Sequence, residues 1–273
     1  MFKLLGALFF LGVAFCGAYY LGKERQGPPR AEATFQPALY PVVNRSFALV
    51  VMGRNNGAFV ARTLQSIFSQ NYLDFRVFYI DNGSNDGSYE LARDLIQESG
   101  QEMRVTMIRN EEPLGKATNL SRVVDSCADG EIVVVLEGED WLAHEWVLAR
   151  LNQYYANPDL WLTYGQSMEY PDYALGVSRP LEDKFVRHQP FQASHLKTFY
   201  AALFRQIQPL DLFFATDFAY MAPMLEMGQG HTAFIPEVLY IENRMAPPRE
   251  DTVAAENSVR ALKAYAPIER IPL

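Results

Sequence analysis

The sequence predicts an α/β protein built on a mostly parallel, twisted sheet flanked by helices, and three observations carry that expectation. Continuous apolar runs at Phe47 to Met52 and Ile132 to Leu136 read as buried strands, and Phe75 to Ile80, apolar but for Arg76, reads as another strand. Segments with apolar residues at helical spacing lie between these runs. Each run ends in polar, turn-forming residues, so the loops after the strands could line one crevice at the carboxyl edge of the sheet.

Taken in order, the first strand ends at Gly53-Arg54-Asn55-Asn56-Gly57. Phe59, Val60, Thr63, Leu64, Ile67 and Phe68 then predict a helix from Ala58 to Gln70, which Asn71 closes. The second strand runs into Asp81-Asn82-Gly83-Ser84-Asn85-Asp86-Gly87, and Ser88, Glu90, Leu91 and Leu95 open another amphipathic helix. A third strand from Arg104 to Arg109 leads through Asn110-Glu111-Glu112-Pro113-Leu114-Gly115 to Lys116 and a helix from Ala117 to about Cys127. Strands alternating with helices in this way imply a parallel sheet. Farther on, Phe218 to Met227 predicts an apolar helix packed on the sheet, and Thr252 to Tyr265 an amphipathic tail helix.

Composition narrows the function classes. With 273 residues, 49% hydrophobic and 21% charged, the chain can bury a substantial core. A net charge of -8 argues against nucleic acid as a partner. It leaves room for an anionic nucleotide, because one bound cation reverses the local sign. Two cysteines, Cys16 and Cys127, and four scattered histidines support neither a disulfide framework nor a zinc site. Gly53-Arg54-Asn55-Asn56-Gly57 does not supply the glycine pattern of a dinucleotide-binding turn, and no phosphate-binding P-loop motif is present.

The amino terminus is a separate element. From Leu4 to Gly22 the chain carries no charge, and a helix of that length comes close to spanning a ~30 Å hydrocarbon core. Residues 1–22 are therefore expected to form a single-pass membrane anchor. The alternative is a cleaved signal peptide that would lead to secretion. Lys23, Arg25 and Arg30 outweigh Lys3, which favours a cytosolic main domain. Residues 23–45, with Pro28, Pro29 and Pro37, read as a linker. A single globular domain is expected to follow.

The stretch that concentrates the chemistry is Leu136-Glu137-Gly138-Glu139-Asp140-Trp141. Three carboxylates within four residues, at the carboxyl end of a buried strand, suit a hard divalent cation that holds a phosphate-bearing substrate. A solvated acidic turn is the alternative for this stretch taken alone. Asp81, at the end of the second strand, is a natural contact for a nucleoside base or ribose, since a carboxylate accepts hydrogen bonds from an imide or a hydroxyl. It could equally cap the following turn. Lys116 could reach a phosphate as a point charge, or lie solvated on the surface.

Several motifs in a fixed order resemble those of the family 2 glycosyltransferases of the GT-A, Rossmann-like fold. Arg54-Asn55 stands where that family has a Tyr-Asn or similar pair, and Ser66-Ile67-Phe68-Ser69-Gln70 matches its Ser-x-x-x-Gln helix end. Ile80-Asp81-Asn82-Gly83-Ser84-Asn85-Asp86-Gly87-Ser88 matches its strand-end signature. The segment from Glu112 to Asn119 approximates the next motif, and Leu136 to Asp140 falls on its Leu-Asp-x-Asp-Asp. Ser194 to Ala201, Asp217 to Met227, and Phe234 to Tyr240 with Asn243-Arg244 look like the acceptor half of one branch, so the likeness spans about 46 to 250. The resemblance implies a nucleotide-sugar-binding half over 46–165, an acceptor half over 166–250 and a tail over 251–273.

The resemblance further implies a metal-dependent, inverting transfer of a sugar from a nucleoside-diphosphate sugar, UDP-type favoured, to a glycan, lipid or protein acceptor. Asn55, Asp81, Lys116, Glu137 and Glu139 would bind the donor, and Glu139 and Asp140 would hold Mn²⁺ or Mg²⁺. Asp217 would be the general base, with a plain helix N-cap as its alternative. His195 and Trp141 are candidate contacts for diphosphate or acceptor, or structural residues. The chain departs from the family where glutamate replaces aspartate at 137 and 139, which motivates a rival expectation of a protein that binds nucleotide or glycan without turnover.

Overall fold

The computed structural model describes residues 42–181, 183–208, 216–246 and 253–273. The expected anchor over 1–22 and most of the linker lie outside the described residues. Among the described residues no helix is long and apolar enough to cross a membrane.

Among the described residues nine strands form one sheet. In chain order they are β1 (Phe47–Gly53), β2 (Phe75–Asn82), β3 (Val105–Asn110), β4 (Ile132–Glu137), β5 (Trp141–Leu142), β6 (Leu162–Tyr170), β7 (Ala174–Leu175), β8 (Lys197–Tyr200) and β9 (Thr232–Asn243). The helices are α1 (Val60–Phe68), α2 (Ser88–Glu98), α3 (Lys116–Val124), α4 (Val147–Tyr154), α5 (Ala201–Phe204), α6 (Phe218–Met227) and α7 (Val253–Arg260), with a 3-10 turn at Asp183–His188.

The strand order is β3-β2-β1-β4-β8-β6-β9-β5, with β7 pairing β6. The first four strands are parallel and match the expected strands to within two residues at each end. Every residue of β1 and β4 is buried, because each strand lies between two neighbours and its apolar side chains are covered on both faces. The chain returns from β3 to add β4 on the other side of β1. The loops after β1 and β4 therefore flank the topological switch point, where open sheets of this kind place their ligands.

The expectation of a mostly parallel sheet needs correction, since the sheet is mixed. β8 pairs antiparallel with β4 and with β6, β5 pairs antiparallel with β9, and β7 pairs antiparallel with β6, while β6 and β9 run parallel. Parallel growth stops at β4 because its outer neighbour is a strand from the second half of the chain that runs the opposite way. That second half was not readable as strands from periodicity. β6 (Leu-Thr-Tyr-Gly-Gln-Ser-Met-Glu-Tyr) and β8 (Lys-Thr-Phe-Tyr) carry polar residues at buried positions, so neither an apolar run nor a clean alternation marks them.

The predicted helix at Phe218–Met227 forms with those bounds as α6, and all ten of its residues are buried. Its one acidic residue, Glu226, is paired with the buried guanidinium of Arg187 (Nε to Oε1, 2.7 Å), and it also accepts from the backbone N–H of Tyr265. The ionised Glu226 at such depth requires the Arg187 partner, and the bond from Tyr265 ties the segment after α7 to α6.

Candidate functional site

Four of the residues singled out in sequence converge beside the switch point. Glu137 closes β4, and its carboxylate Oε1 lies 2.6 Å from Lys116 Nζ, at the first residue of α3. Lys116 Nζ also lies 3.1 Å from Asp217 Oδ1. The other oxygen of Asp217 lies 2.6 Å from Nζ of Lys197, the first residue of β8. Lys197 is 1% exposed and sits 3.5 Å from His195 Nδ1, whose ring stacks on Tyr240 at 4.5 Å between centroids. The result is a chain of alternating charge, Glu137–Lys116–Asp217–Lys197, drawn from four separate elements.

Asp217 precedes α6, but its carboxylate makes no capping bond to that helix. Thr216 supplies the cap instead, its hydroxyl accepting from Phe218 N–H, while Tyr220 donates its phenol to Asp217 Oδ1 at 3.0 Å. Burial alone would push the Asp217 carboxyl up, but Lys116, then Lys197 and His195, hold it well below the ordinary carboxylate range. A group shifted downward adds stability above its unfolded value and loses it as pH falls through the depressed one, so this pairing is intact throughout the neutral range.

The acidic turn between β4 and β5 divides its carboxylates between two settings. Asp140 is fully buried, and both of its oxygens are engaged by β9: Oδ1 accepts from Asn243 N–H at 2.7 Å and Oδ2 from the Tyr240 hydroxyl at 2.8 Å. Glu139 is half-buried, and its backbone carbonyl accepts from the Asn243 side chain. The turn is pinned from below as well. Gly138 N–H donates to Met52 O, and its carbonyl accepts from Asn56 Nδ2 and the Thr63 hydroxyl.

Glycine is required at 138 because a Cβ there would lie 2.7 Å from the Gly53 Cα and collide with the Asn56 amide. Gly138→Ala is therefore expected to destabilise the protein by roughly 1–3 kcal/mol and to displace the acidic turn. A thermal unfolding curve that overlays the wild type would show that the close approach of the two loops is dispensable.

Asp81 and Asn55 lie together on the β2 side of the switch point. Ser84 N–H donates to Asp81 Oδ2 at 3.2 Å, and Ser84 Oγ accepts from Asn55 N–H at 2.9 Å. Asp81 is completely buried, and its Oδ1 has no hydrogen-bond partner within the protein. Such an acceptor costs roughly 1–3 kcal/mol unless a ligand or water meets it. Neighbouring Asn82 holds the loop that leads to Lys116, exchanging hydrogen bonds with the N–H and carbonyl of Leu114 and accepting from Asn110 and Asn119.

Trp141 belongs to a different group. Its ring meets Tyr170 edge-on at 5.4 Å, and the Arg62 guanidinium lies 4.5 Å above it. Cys127 is a buried thiol that burial pushes up to about 12, which removes it as a nucleophile.

Sequence reasoning missed Lys197 and Tyr240, which complete the network. One signal was available for Lys197: a lysine opening a run as apolar as Phe199 to Leu203 is rarely buried without an anionic partner.

The profile of Glycosyl transferase family 2 matches residues 49–210, which is more than half of the chain, and the chain belongs to that family of enzymes. No curated protein matches it in sequence. Among solved structures, TarS from S. aureus in complex with UDP is similar with a TM-score of 0.57 at 12% identity, over 72% of this chain. This chain spans 60% of that TarS chain. The mannosyltransferase PcManGT from Pyrobaculum calidifontis, in complex with GDP-Man and Mn²⁺, gives 0.60 at 20% identity over 94% of this chain and 76% of its own. Glucosyl-3-phosphoglycerate synthase from Mycobacterium tuberculosis, with Mn²⁺, UDP and glucosyl-3-phosphoglycerate, gives 0.53 at 16% identity over 79% and 77%. These likenesses establish the GT-A fold.

Proposed function

We propose that this chain transfers a sugar from a nucleoside-diphosphate sugar to an acceptor hydroxyl with inversion at the sugar carbon. The observation that carries the reading is the Asp217 carboxylate, 16% exposed, held between Lys116 and Lys197 beside the carboxyl end of β4. Asp217 takes the acceptor proton as the acceptor oxygen forms its bond to the sugar carbon. The electron pair of the breaking carbon–oxygen bond leaves with the diphosphate. Attack and departure on opposite faces give the inversion. Asp81 Oδ1, the buried acceptor without a partner, suits an imide N–H of a uracil-type base. The acceptor is a glycan, lipid or protein hydroxyl.

The donor set fits a divalent cation in a limited way. Among the described residues no three His, Cys, Asp or Glu side chains gather to form a cage, and Asp140 is committed to β9. Mg²⁺ and related ions, however, are commonly held by one or two carboxylates together with substrate phosphates. Glu139 is the carboxylate of the turn suited to that role, and the complexes of PcManGT and glucosyl-3-phosphoglycerate synthase contain Mn²⁺. When bound, such an ion would neutralise charge on the leaving diphosphate.

The two lysines on Asp217 also favour a second reading, in which nucleotide binds without turnover because the base stays neutralised. Thermal unfolding over a panel of nucleoside diphosphates and nucleotide sugars, with and without Mn²⁺, tests the shared step. A matched nucleotide at a hundred times its Kd is expected to stabilise by about 2.7 kcal/mol. Asp81→Ala should weaken that nucleotide about tenfold or more. Binding with neither hydrolysis nor transfer would favour the second reading, and a panel without any shift would sink both.

A further inference from the structure

We infer that donor binding switches on the base: Lys116 leaves Asp217 for the incoming diphosphate, so that Asp217 accepts a proton only when the donor is in place. This rests on the transferase reading above and assigns Lys116 as a positioning residue for Asp217 as well as a diphosphate contact.

The resting site holds two opposed demands on one carboxylate. A general base works best when its proton affinity is matched to neutral pH, yet Asp217 has a cation against each oxygen, Lys116 at 3.1 Å and Lys197 at 2.6 Å. His195 adds to the positive surroundings, and the Tyr220 phenol donates to Oδ1 as well. A carboxylate held this firmly in its ionised form takes up a proton poorly. One of the cations has to leave before the chemistry.

The two lysines differ in their freedom to do so. Lys197 is 1% exposed in the middle of the sheet, between β4 and β6, and cannot leave Asp217 without burying an unpaired charge. Lys116 has 24% of its side chain exposed and starts α3, directly after the loop pinned by Asn82. Its flexible four-carbon stem carries three donors. One of them can stay on Glu137 at 2.6 Å, which holds the ammonium at the end of β4, while another exchanges Asp217 for a phosphate oxygen. An aspartate at 137 would end about 1.5 Å short of that contact, so the longer glutamate at this position serves the lysine.

No proton moves when Lys116 changes partners, and the only proton transferred is the acceptor hydroxyl's, which passes to Asp217 as the sugar–diphosphate bond breaks. With no donor bound, the base stays neutralised, so neither water nor acceptor is activated prematurely.

The test compares wild type, Lys116→Met and Lys116→Arg in two assays, UDP binding by calorimetry and the pH profile of transfer. In wild type the acid limb of kcat/KM, which reports the free enzyme, should lie at lower pH than that of kcat, which reports the donor-bound enzyme. Lys116→Met should weaken UDP about tenfold or more and move the kcat/KM limb up towards the kcat limb. Lys116→Arg, which keeps the charge, should lose less UDP affinity than Lys116→Met. UDP affinity unchanged in Lys116→Met, or acid limbs that coincide in wild type, would overturn the switch while leaving the transferase reading standing. Wild-type protein that binds no nucleoside diphosphate would overturn both.

Discussion

Asp217→Asn is expected to lower sugar transfer by about 10²- to 10⁴-fold while nucleoside-diphosphate binding persists. The amide keeps the size of the side chain and one oxygen for Lys197, but it has no lone pair basic enough to receive the acceptor proton. The substitution also affects the fold. Lys197, 1% exposed, would face a neutral partner, and Lys116 would lose a carboxylate partner while keeping Glu137. Breaking a buried pair outright costs roughly 3–5 kcal/mol, and the retained amide oxygen keeps the loss below that. Calorimetric binding of UDP beside a transfer assay separates the two effects. A variant that binds UDP and still transfers at the wild-type rate would remove Asp217 from the chemistry.

The second large effect separates the two acidic residues of the turn. Asp140→Ala strips acceptors from the Tyr240 hydroxyl and the Asn243 N–H, both buried. At roughly 1–3 kcal/mol for each of the two orphaned donors, the melting temperature should fall by roughly 4–24 °C. Tyr240 also stacks on His195 and accepts from the backbone N–H of Glu137, so this loosening would spread to both ends of the charge network. Glu139→Ala, at a half-buried position, should change the melting temperature much less and weaken the Mn²⁺ dependence of nucleotide binding. The reverse pattern, with a stable Asp140→Ala and a Mn²⁺-indifferent Asp140→Ala protein, would transfer the cation role to Asp140.

The glutamates at 137 and 139, which look like departures when compared with the family's aspartates, take on different meanings in the folded chain. Glu137 reaches a lysine on a neighbouring element. Glu139 occupies the rim of the turn, and the aspartate beside it is absorbed into the pairing with β9. Identity and spacing placed the three together. Burial and hydrogen-bond partners then gave each a separate task.

What the amino-acid sequence determined by itself was the parallel half: strands β1 to β4, the helices between them, and the loops that hold Asn55, Asp81, Lys116 and the acidic turn. Those features are local: β1 and β4, covered on both faces, must be apolar throughout, and the end of each strand must turn, and both demands are written in contiguous residues. Only the tertiary structure decided the mixed second half and the network centred on Asp217. There the strands carry polar residues that face partners from other elements, so periodicity is silent. The decisive pairs join residues far apart in the chain, Lys116 with Asp217 and Asp140 with Tyr240. Whether a lysine is solvated or buried against a carboxylate depends on which element packs beside it, and that is a property of the fold.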